Sequence, residues 1–367
     1  MSKRLTAFLM ASVLAGCGGP ERAREAAAPD TGPVAAPPAK AGVDASRPGP
    51  TLRAVRQRDG IVCGVNEGLV GFAYRDNRGR WRGFDVDFCR ALAAAVLGDP
   101  DAARFLPLTT RDRLPALVSG KADVLWRNTS WTFSRDAGGG VDFAAVNYYD
   151  GQGFMVARSL DVSSATELNG ARVCVQSGST TEPNLADWFR SKGLNYQKVV
   201  VDSEEAGRDA YATERCDAFT ADVSALAAAR TTMANPNAHV ILPEVISKEP
   251  MGPVVRQGDD QWTDVVRWTL YALILAEELG VTSQNVDEMR ASSTNPEVRR
   301  LLGVEGELGP MLGLKSDWAY RAIKAVGNYG EVFQRNVGSG SSMRLERGLN
   351  APWNGNPSGL LYAPPMR

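Results

Sequence analysis

The sequence predicts an α/β protein made of two doubly wound halves. Three observations carry this reading: from residue 60 onward short β-rich runs alternate with helical stretches, the alternation runs through twice, and the two passes share a segment. Leu114-Pro-Ala-Leu-Val-Ser-Gly-Lys-Ala-Asp123 resembles Gly207-Arg-Asp-Ala-Tyr-Ala-Thr-Glu-Arg-Cys-Asp217, each a helix, a short turn and an aspartate opening a strand. Such alternation implies mostly parallel sheets with helices on both faces. Two halves of this kind leave a crevice outside the carboxyl ends of their strands, where the architecture binds ligands.

In the first half, Ile61-Val-Cys-Gly-Val65 reads as a strand. Asp85 is placed to cap a helix running to Leu97, with Val86, Cys89, Ala93, Val96 and Leu97 on one face. A strand over 104–108, a helix over 111–119 and a strand over 122–126 follow. The second half repeats the order: strand 172–175, helix 183–191, strand 197–201, helix 204–214 and strand 218–221. The chain crosses between halves near 151–154 and 250–253, both containing glycine, then completes the first half with helices from 259 to 279 and beyond. The Gly/Ser/Pro-rich tail from Gly338 is expected to wrap that half.

The N-terminus reads as an address. Lys3 and Arg4 precede an apolar run, 7–15, too short for a membrane-spanning helix of about 20 residues. It ends in Leu14-Ala-Gly-Cys17, which resembles the bacterial lipobox and marks Cys17 for lipidation; an ordinary secretory signal is the plainer alternative. Residues 18–50 hold seven prolines and nine alanines in 33 positions, too few large apolar groups to offset ordering, and read as a disordered tether. The resulting division is signal peptide 1–17, tether 18–50, first lobe 51–152, second lobe 153–250, and 251–367 completing the first lobe with a C-terminal extension.

Composition narrows the chemistry. Lys+Arg 41 against Asp+Glu 42 leaves no basic excess for nucleic acid. A single histidine, His239, argues against a multi-histidine metal site and a histidine-dependent triad, so no cofactor is expected. Cys63, Cys89, Cys174 and Cys216 form an even set, favouring two disulfides; three pairings are open, and keeping each bridge within one half selects Cys63–Cys89 and Cys174–Cys216. With no Cys-x-x-Cys pair, a zinc site is disfavoured.

Several stretches, in order along the chain, resemble one family. They include Cys63-Gly-Val-Asn-Glu-Gly-Leu69, Gly83-Phe-Asp-Val-Asp-Phe-Cys89, Arg127-Asn-Thr-Ser-Trp-Thr-Phe-Ser-Arg-Asp136, Val173-Cys-Val-Gln-Ser-Gly-Ser-Thr-Thr-Glu182 and Cys216-Asp-Ala-Phe-Thr-Ala-Asp222. Together they are similar to the solute-binding proteins of polar amino-acid ABC transporters, nearest to the general L-amino-acid-binding subgroup. The resemblance implies the type II periplasmic binding-protein fold, with two lobes on a two-crossing hinge and a helical C-terminal extension. It further implies a monomeric periplasmic or cell-envelope protein, here lipid-anchored, that captures free L-amino acids and delivers them to a permease without catalysis. A sensor for a separate receptor is the alternative, followed by a dehydratase-like enzyme with Glu67 or Glu182 as acid.

By this resemblance Arg135 grips the ligand α-carboxylate, as befits a planar guanidinium that stays charged when desolvated, and the Ser130 hydroxyl assists. Asp222 pairs with the α-ammonium, a helix N-cap being its plainer role, and the Asn128 carbonyl shares that ammonium. Ser179, Thr180 and Thr181, between a strand and a helix, present backbone N–H groups to the carboxylate at the positive helix end. Asn66 and Leu69 face the ligand side chain, with Thr110 and Gln176 as rim contacts. Relatives often carry an acid and an aromatic at the positions of Asn66 and Leu69, so their replacement implies broad acceptance.

Overall fold

The computed structural model describes residues 48–367. The expected signal peptide, lipidation at Cys17 and nearly all of the tether lie outside the described residues; Pro50 already opens a helix, Pro50–Arg58.

Two five-stranded sheets organise the chain. The first runs Ala103–Pro107, Ile61–Val65, Val124–Leu125, Val254–Arg256, Val141–Phe143 across its width. The second runs Gln197–Val201, Arg172–Gln176, Ala218–Asp222, Gln152–Ala157, His239–Ile241. In each, the three strands read from the sequence are parallel and the last two join antiparallel. The pseudo-repeat thus holds at the level of strand order, and the antiparallel strands complete it. The two antiparallel strands of each sheet are where the chain enters or leaves a lobe.

Between the sheets, Tyr148–Asp150 pairs antiparallel with Glu249–Met251 to make the double crossing. The first crossing therefore lies just before the expected 151–154. The adjacent glycines serve close approach, not backbone freedom: a Cβ at Gly252 would overlap the Ala145 carbonyl oxygen, and one at Gly151 would overlap the Val245 side chain. The disulfides staple each sheet locally. Cys63–Cys89 ties a central strand to the helix Phe84–Leu97, and Cys174–Cys216 ties Arg172–Gln176 to the approach of Ala218–Asp222, with Cα separations of 6.2 and 5.7 Å.

The helix Phe84–Leu97 differs from expectation at its start. Its N-cap is Gly83, at φ 130°, and Asp85 lies inside the first turn, buried. A glycine is required there because the backbone is left-handed and a Cβ would strike the Phe72 carbonyl. Phe84, released into the core, meets Phe72, Phe88, Tyr148, Tyr329 and Phe333 edge-on. That cluster joins the first lobe, the crossing and the C-terminal helices in one core.

The C-terminal extension reaches the hinge itself. The helices Asp260–Glu278, Trp318–Val326 and Tyr329–Asn336 pack over Phe84–Leu97. The tail then returns, and buried Asn350 forms an amide pair with the crossing strand: Tyr149 N–H donates to Asn350 Oδ1 at 2.7 Å, and Asn350 Nδ2 donates to the Tyr149 carbonyl at 3.0 Å. Arg347 fixes this turn through Glu277 at 2.8 and 3.1 Å and through the Asn350 carbonyl at 2.8 Å. Asn350→Ala should leave Tyr149 groups without these partners and lower stability by roughly 1–3 kcal/mol in denaturant unfolding. Amide exchange should rise first in residues 148–150; an unchanged exchange pattern there would contradict the strap.

Candidate ligand-binding site

The carboxyl ends of both parallel triplets point into one crevice. Asn66 follows Ile61–Val65, Arg127 and Asn128 follow Val124–Leu125, Ser177 follows Arg172–Gln176, and Asp222 closes Ala218–Asp222. Two contiguous chambers result. The smaller, about 20 Å³, is walled by Thr110, Arg113, Arg127, Asn128 and Ser130 from the first lobe and by Ser179–Thr181, Thr220 and Asp222 from the second. The larger, about 360 Å³, extends from it past Asn66, Leu69 and Glu205. Arg127, Gln176, Glu204 and Phe219 line both.

The small chamber holds opposite charges on opposite lobes. Arg113 and Arg127 are each less than 5% exposed. Arg127 donates from Nε to the Leu108 carbonyl (3.0 Å), from Nη1 to Asn128 Oδ1 (2.9 Å) and from Nη2 to Thr110 Oγ1 (3.3 Å). Arg113 donates from Nη1 to the Arg127 and Asn128 carbonyls at 3.3 and 3.5 Å, while its Nε is buried without a partner. Burial, reinforced by Arg127 and Arg135, pulls its pKa well down. Across the chamber Asp222 is 9% exposed, and its Oδ1 likewise has no partner. Burial, and then Asp150, Glu249 and Glu204, pushes its carboxyl up. A buried donor and a buried acceptor, both unsatisfied, line one space.

The lobes also touch at the mouth. Arg111 Nη2, from the first lobe, donates to Ser177 Oγ at 2.7 Å and lies 3.6 Å from Asp202 Oδ1 of the second. Glu249, on the returning crossing strand, accepts from Thr180 Oγ1 at 2.9 Å and Asn184 Nδ2 at 2.8 Å.

The sequence model of the bacterial extracellular solute-binding proteins, family 3, matches residues 61–285. The chain belongs to that family. It is 55% identical over 317 residues to the glutamate/glutamine/aspartate/asparagine-binding protein BztA of Rhodobacter capsulatus, covering 86% of this chain and 93% of the relative. It is 54% identical over 319 residues to the general L-amino acid-binding periplasmic protein AapJ of Rhizobium johnstonii, at the same coverages. Among solved structures, an ABC transporter periplasmic binding protein from Brucella ovis with glutathione bound superposes at a TM-score of 0.84, with 53% identity, over 86% of this chain and 99% of that one. The sheet order and this likeness make the fold type II periplasmic binding-protein, with the helical extension included.

In this solute-binding protein the expected residues fall into three groups. Ser130, Asn128, Ser179, Thr180, Thr181, Gln176 and Asp222 line the small chamber; Asn66 and Leu69 line the large one. Arg135 lines neither: its Nη1 donates to the Ser130 carbonyl at 2.9 Å, and Glu249 and Asp222 lie near enough to oppose the lowering of its pKa by burial. Asp222 is the N-cap of Val223–Thr231 by position, yet its side chain makes no capping bond. The hydroxyls of the 179–181 turn are taken, Ser179 by the Gln176 carbonyl and Thr181, Thr180 by Glu249, whereas the helix Thr181–Lys192 has no side-chain cap on its first N–H groups. Asn66 is committed to Asn128 Oδ1 (3.1 Å) and to the Gly68 N–H (3.1 Å).

Arg113, Arg127, Glu204 and Phe219 received no role from the sequence. Arg127 immediately follows a strand at its carboxyl end, the position this architecture reserves for ligand contacts, and that signal was present. Arg113, in Thr-Thr-Arg-Asp-Arg, reads as a solvated charge until the loop folds inward. Trp126 stacks on Phe88 and Trp131 on Phe143, so these rings serve packing. Among the described residues no three His, Cys, Asp or Glu side chains are placed to hold a metal, and no helix is long and apolar enough to cross a membrane.

Behind this wall, Asp85 is buried with Oδ2 unpartnered, and burial pushes it from 3.8 up to about 7 against the Asn128 N–H and Arg127. A carboxyl raised on folding favours the native state below its unfolded value, and that contribution is lost as pH climbs through about 7. Asp85→Asn should therefore raise the melting temperature at pH 8 and leave it nearly unchanged at pH 4. Equal shifts at both pH values would contradict the assignment.

Proposed function

We propose that this protein captures a free L-amino acid between its lobes, outside the cytoplasm, and delivers it to the permease of an ABC transporter. One observation carries the reading: Asp222 Oδ1 and Arg113 Nε, opposite in sign, buried and unsatisfied, belong to different lobes and line one chamber. A zwitterion satisfies both with one molecule. Taking each of its charges out of water costs several kcal/mol unless matched. The matches exist only when the lobes approach, so binding and closure are one equilibrium. The names of the BztA and AapJ relatives support the same substrate class. Glutathione, bound in the Brucella ovis relative, also carries a free α-amino and α-carboxylate group at its γ-glutamyl end.

In this reading the α-ammonium takes Asp222 and the Asn128 carbonyl. The α-carboxylate takes Arg135, the Ser130 hydroxyl and the N–H groups of 179–181, with Arg113 supplying a second guanidinium from the chamber wall. Asn66, Leu69 and Gln176 face the ligand side chain. The protein acts by binding and not by catalysis: Glu182 is held by Lys198 at 2.8 Å and lines neither chamber, and Glu67 sits on the exposed rim. The permease, attachment to the membrane through Cys17 and a monomeric state in the periplasm complete the proposal.

Calorimetric titration with each of the twenty amino acids tests it. Arg135→Ala and Asp222→Asn should each weaken the best ligand by about two to four orders of magnitude, the equivalent of roughly 3–5 kcal/mol for one side of a buried pair. Asp222→Asn should at the same time stabilise the ligand-free protein, since it removes a desolvated carboxyl. Wild-type affinity should fall from pH 8 to pH 5, because a protonated Asp222 cannot pair with an ammonium; the variant's affinity should not. A loss below threefold, or no binding of any amino acid, would overturn the reading.

A further inference from the structure

A further cavity lies away from the cleft, on the C-terminal extension. It measures about 210 Å³, and none of its walls belongs to either chamber of the cleft. The last turn of the helix Asp260–Glu278 contributes Leu275 and Glu278, the helix Pro296–Leu301 contributes Glu297, and the tail contributes Trp353 and Tyr362.

The two aromatic rings are held by the backbone that carries them. Trp353 N–H donates to the Leu361 carbonyl at 2.9 Å and Leu361 N–H to the Ala351 carbonyl at 3.2 Å, so two tail segments run side by side. Arg300 Nε anchors the tail further on through the Met366 carbonyl at 3.1 Å. The rings stand 5.7 Å apart at 59° and remain 50% and 61% exposed, although both line the cavity. The face of such a ring attracts a cation placed within about 6 Å of it.

Beside the rings stands a carboxyl without a partner. Glu278 Oε1 is buried and accepts no hydrogen bond. Burial raises the pKa of this carboxyl, the Trp353 indole opposes the rise, and Glu277 and Glu297 add to it. Its acidic neighbours have cations of their own: Glu277 has Arg347 at 2.8 Å, and Glu297 has Arg367 at 3.7 Å, an exposed and weak contact. Among the described residues no lysine or arginine lies within ion-pair distance of Glu278. The helix Asp260–Glu278 also ends here, and its negative pole favours positive charge.

We propose that this cavity binds an organic cation bearing N–H groups, an alkylguanidinium or alkylammonium, with its head on Glu278 and its stem against Trp353 and Tyr362. The donors matter because Glu278 lacks hydrogen bonds as well as a counter-charge, and a quaternary ammonium supplies only the charge. The site is independent of amino-acid capture, which uses the cleft.

NMR titration of the ¹⁵N-labelled full chain tests it, read at the Trp353 indole N–H and assigned by the loss of that signal in Trp353→Phe. n-Butylguanidinium is the probe, since a planar guanidinium also stacks on an indole and this molecule has no α-amino-acid head. It should shift the Trp353 signal saturably, with a dissociation constant on the order of 1 mM. Tetramethylammonium should bind at least tenfold more weakly. Glu278→Gln, which keeps the shape, should weaken n-butylguanidinium tenfold or more, and Tyr362→Ala at the exposed ring threefold or more should the first variant fail to fold. Nα-acetylarginine amide then separates the sources: affinity within tenfold of n-butylguanidinium means that an arginine side chain of a partner protein can supply the cation, and weaker binding assigns the cavity to free cations. No saturable shift of the Trp353 signal overturns the proposal. Equal affinity for tetramethylammonium, or unchanged affinity in the folded variant, overturns it as well, and each of these results leaves amino-acid binding in the cleft untouched.

Discussion

The buried carboxyl of Asp222 governs how the rest of the molecule is arranged. A carboxylate oxygen removed from water without a hydrogen-bond donor is among the most costly features a folded chain can hold, and cores avoid it unless a partner arrives from elsewhere. Here the neighbouring groups make matters worse: Asp150, Glu249 and Glu204 all raise its pKa further, and only Arg113 among the leading influences opposes them. The first lobe carries the complementary problem in Arg113 and Arg127, two desolvated guanidiniums side by side. Neither lobe solves its problem alone. A small molecule bearing both charges does so for both, and this couples recognition to lobe approach.

The fold supplies the geometry that such coupling requires. Sheets of matching strand order aim their carboxyl ends at one another, and among the described residues two antiparallel strands join them. The close contact of Gly252 with Ala145 and the Asn350 amide pair brace the crossing on the first-lobe side, and that of Gly151 with Val245 braces it on the second-lobe side. At the open end, Arg111 reaches Ser177 and Asp202 across the mouth. Its exposure means the pair adds little energy by itself. Its place at the rim makes it a marker of closure.

Much of this was legible in the residues. The alternation of short β-rich runs with helical stretches located the parallel strands and the helices behind them; the central strand Ile61–Val65 is an apolar run, while the outer Ala103–Pro107 and Gln197–Val201 carry polar residues as well. The motif stretches led to Ser130, Asp222 and the 179–181 turn, all of which line the small chamber. Of the remaining strands, Val141–Phe143, His239–Ile241 and Val254–Arg256 were missed because three residues are too few to show a period, whereas the six of Gln152–Ala157 were read as part of the crossing. Asp85 looked like a cap because aspartate before an apolar run usually is one; the left-handed glycine at 83 took that role, and the carboxyl went to the Asn128 backbone. Arg113 was passed over since an arginine in a polar loop carries no local sign of burial, which long-range packing alone decides; Arg127 did carry a sign, its place at the carboxyl end of a strand.

A crystal structure of the protein with a free amino acid such as glutamine in the cleft tests the central claim most directly. The account predicts the α-ammonium nitrogen at hydrogen-bond distance, about 2.7–3.2 Å, from Asp222 Oδ1, and the α-carboxylate on a first-lobe guanidinium, Arg135 or Arg113. A ligand held by one lobe alone, or one leaving Asp222 without a donor, would contradict it.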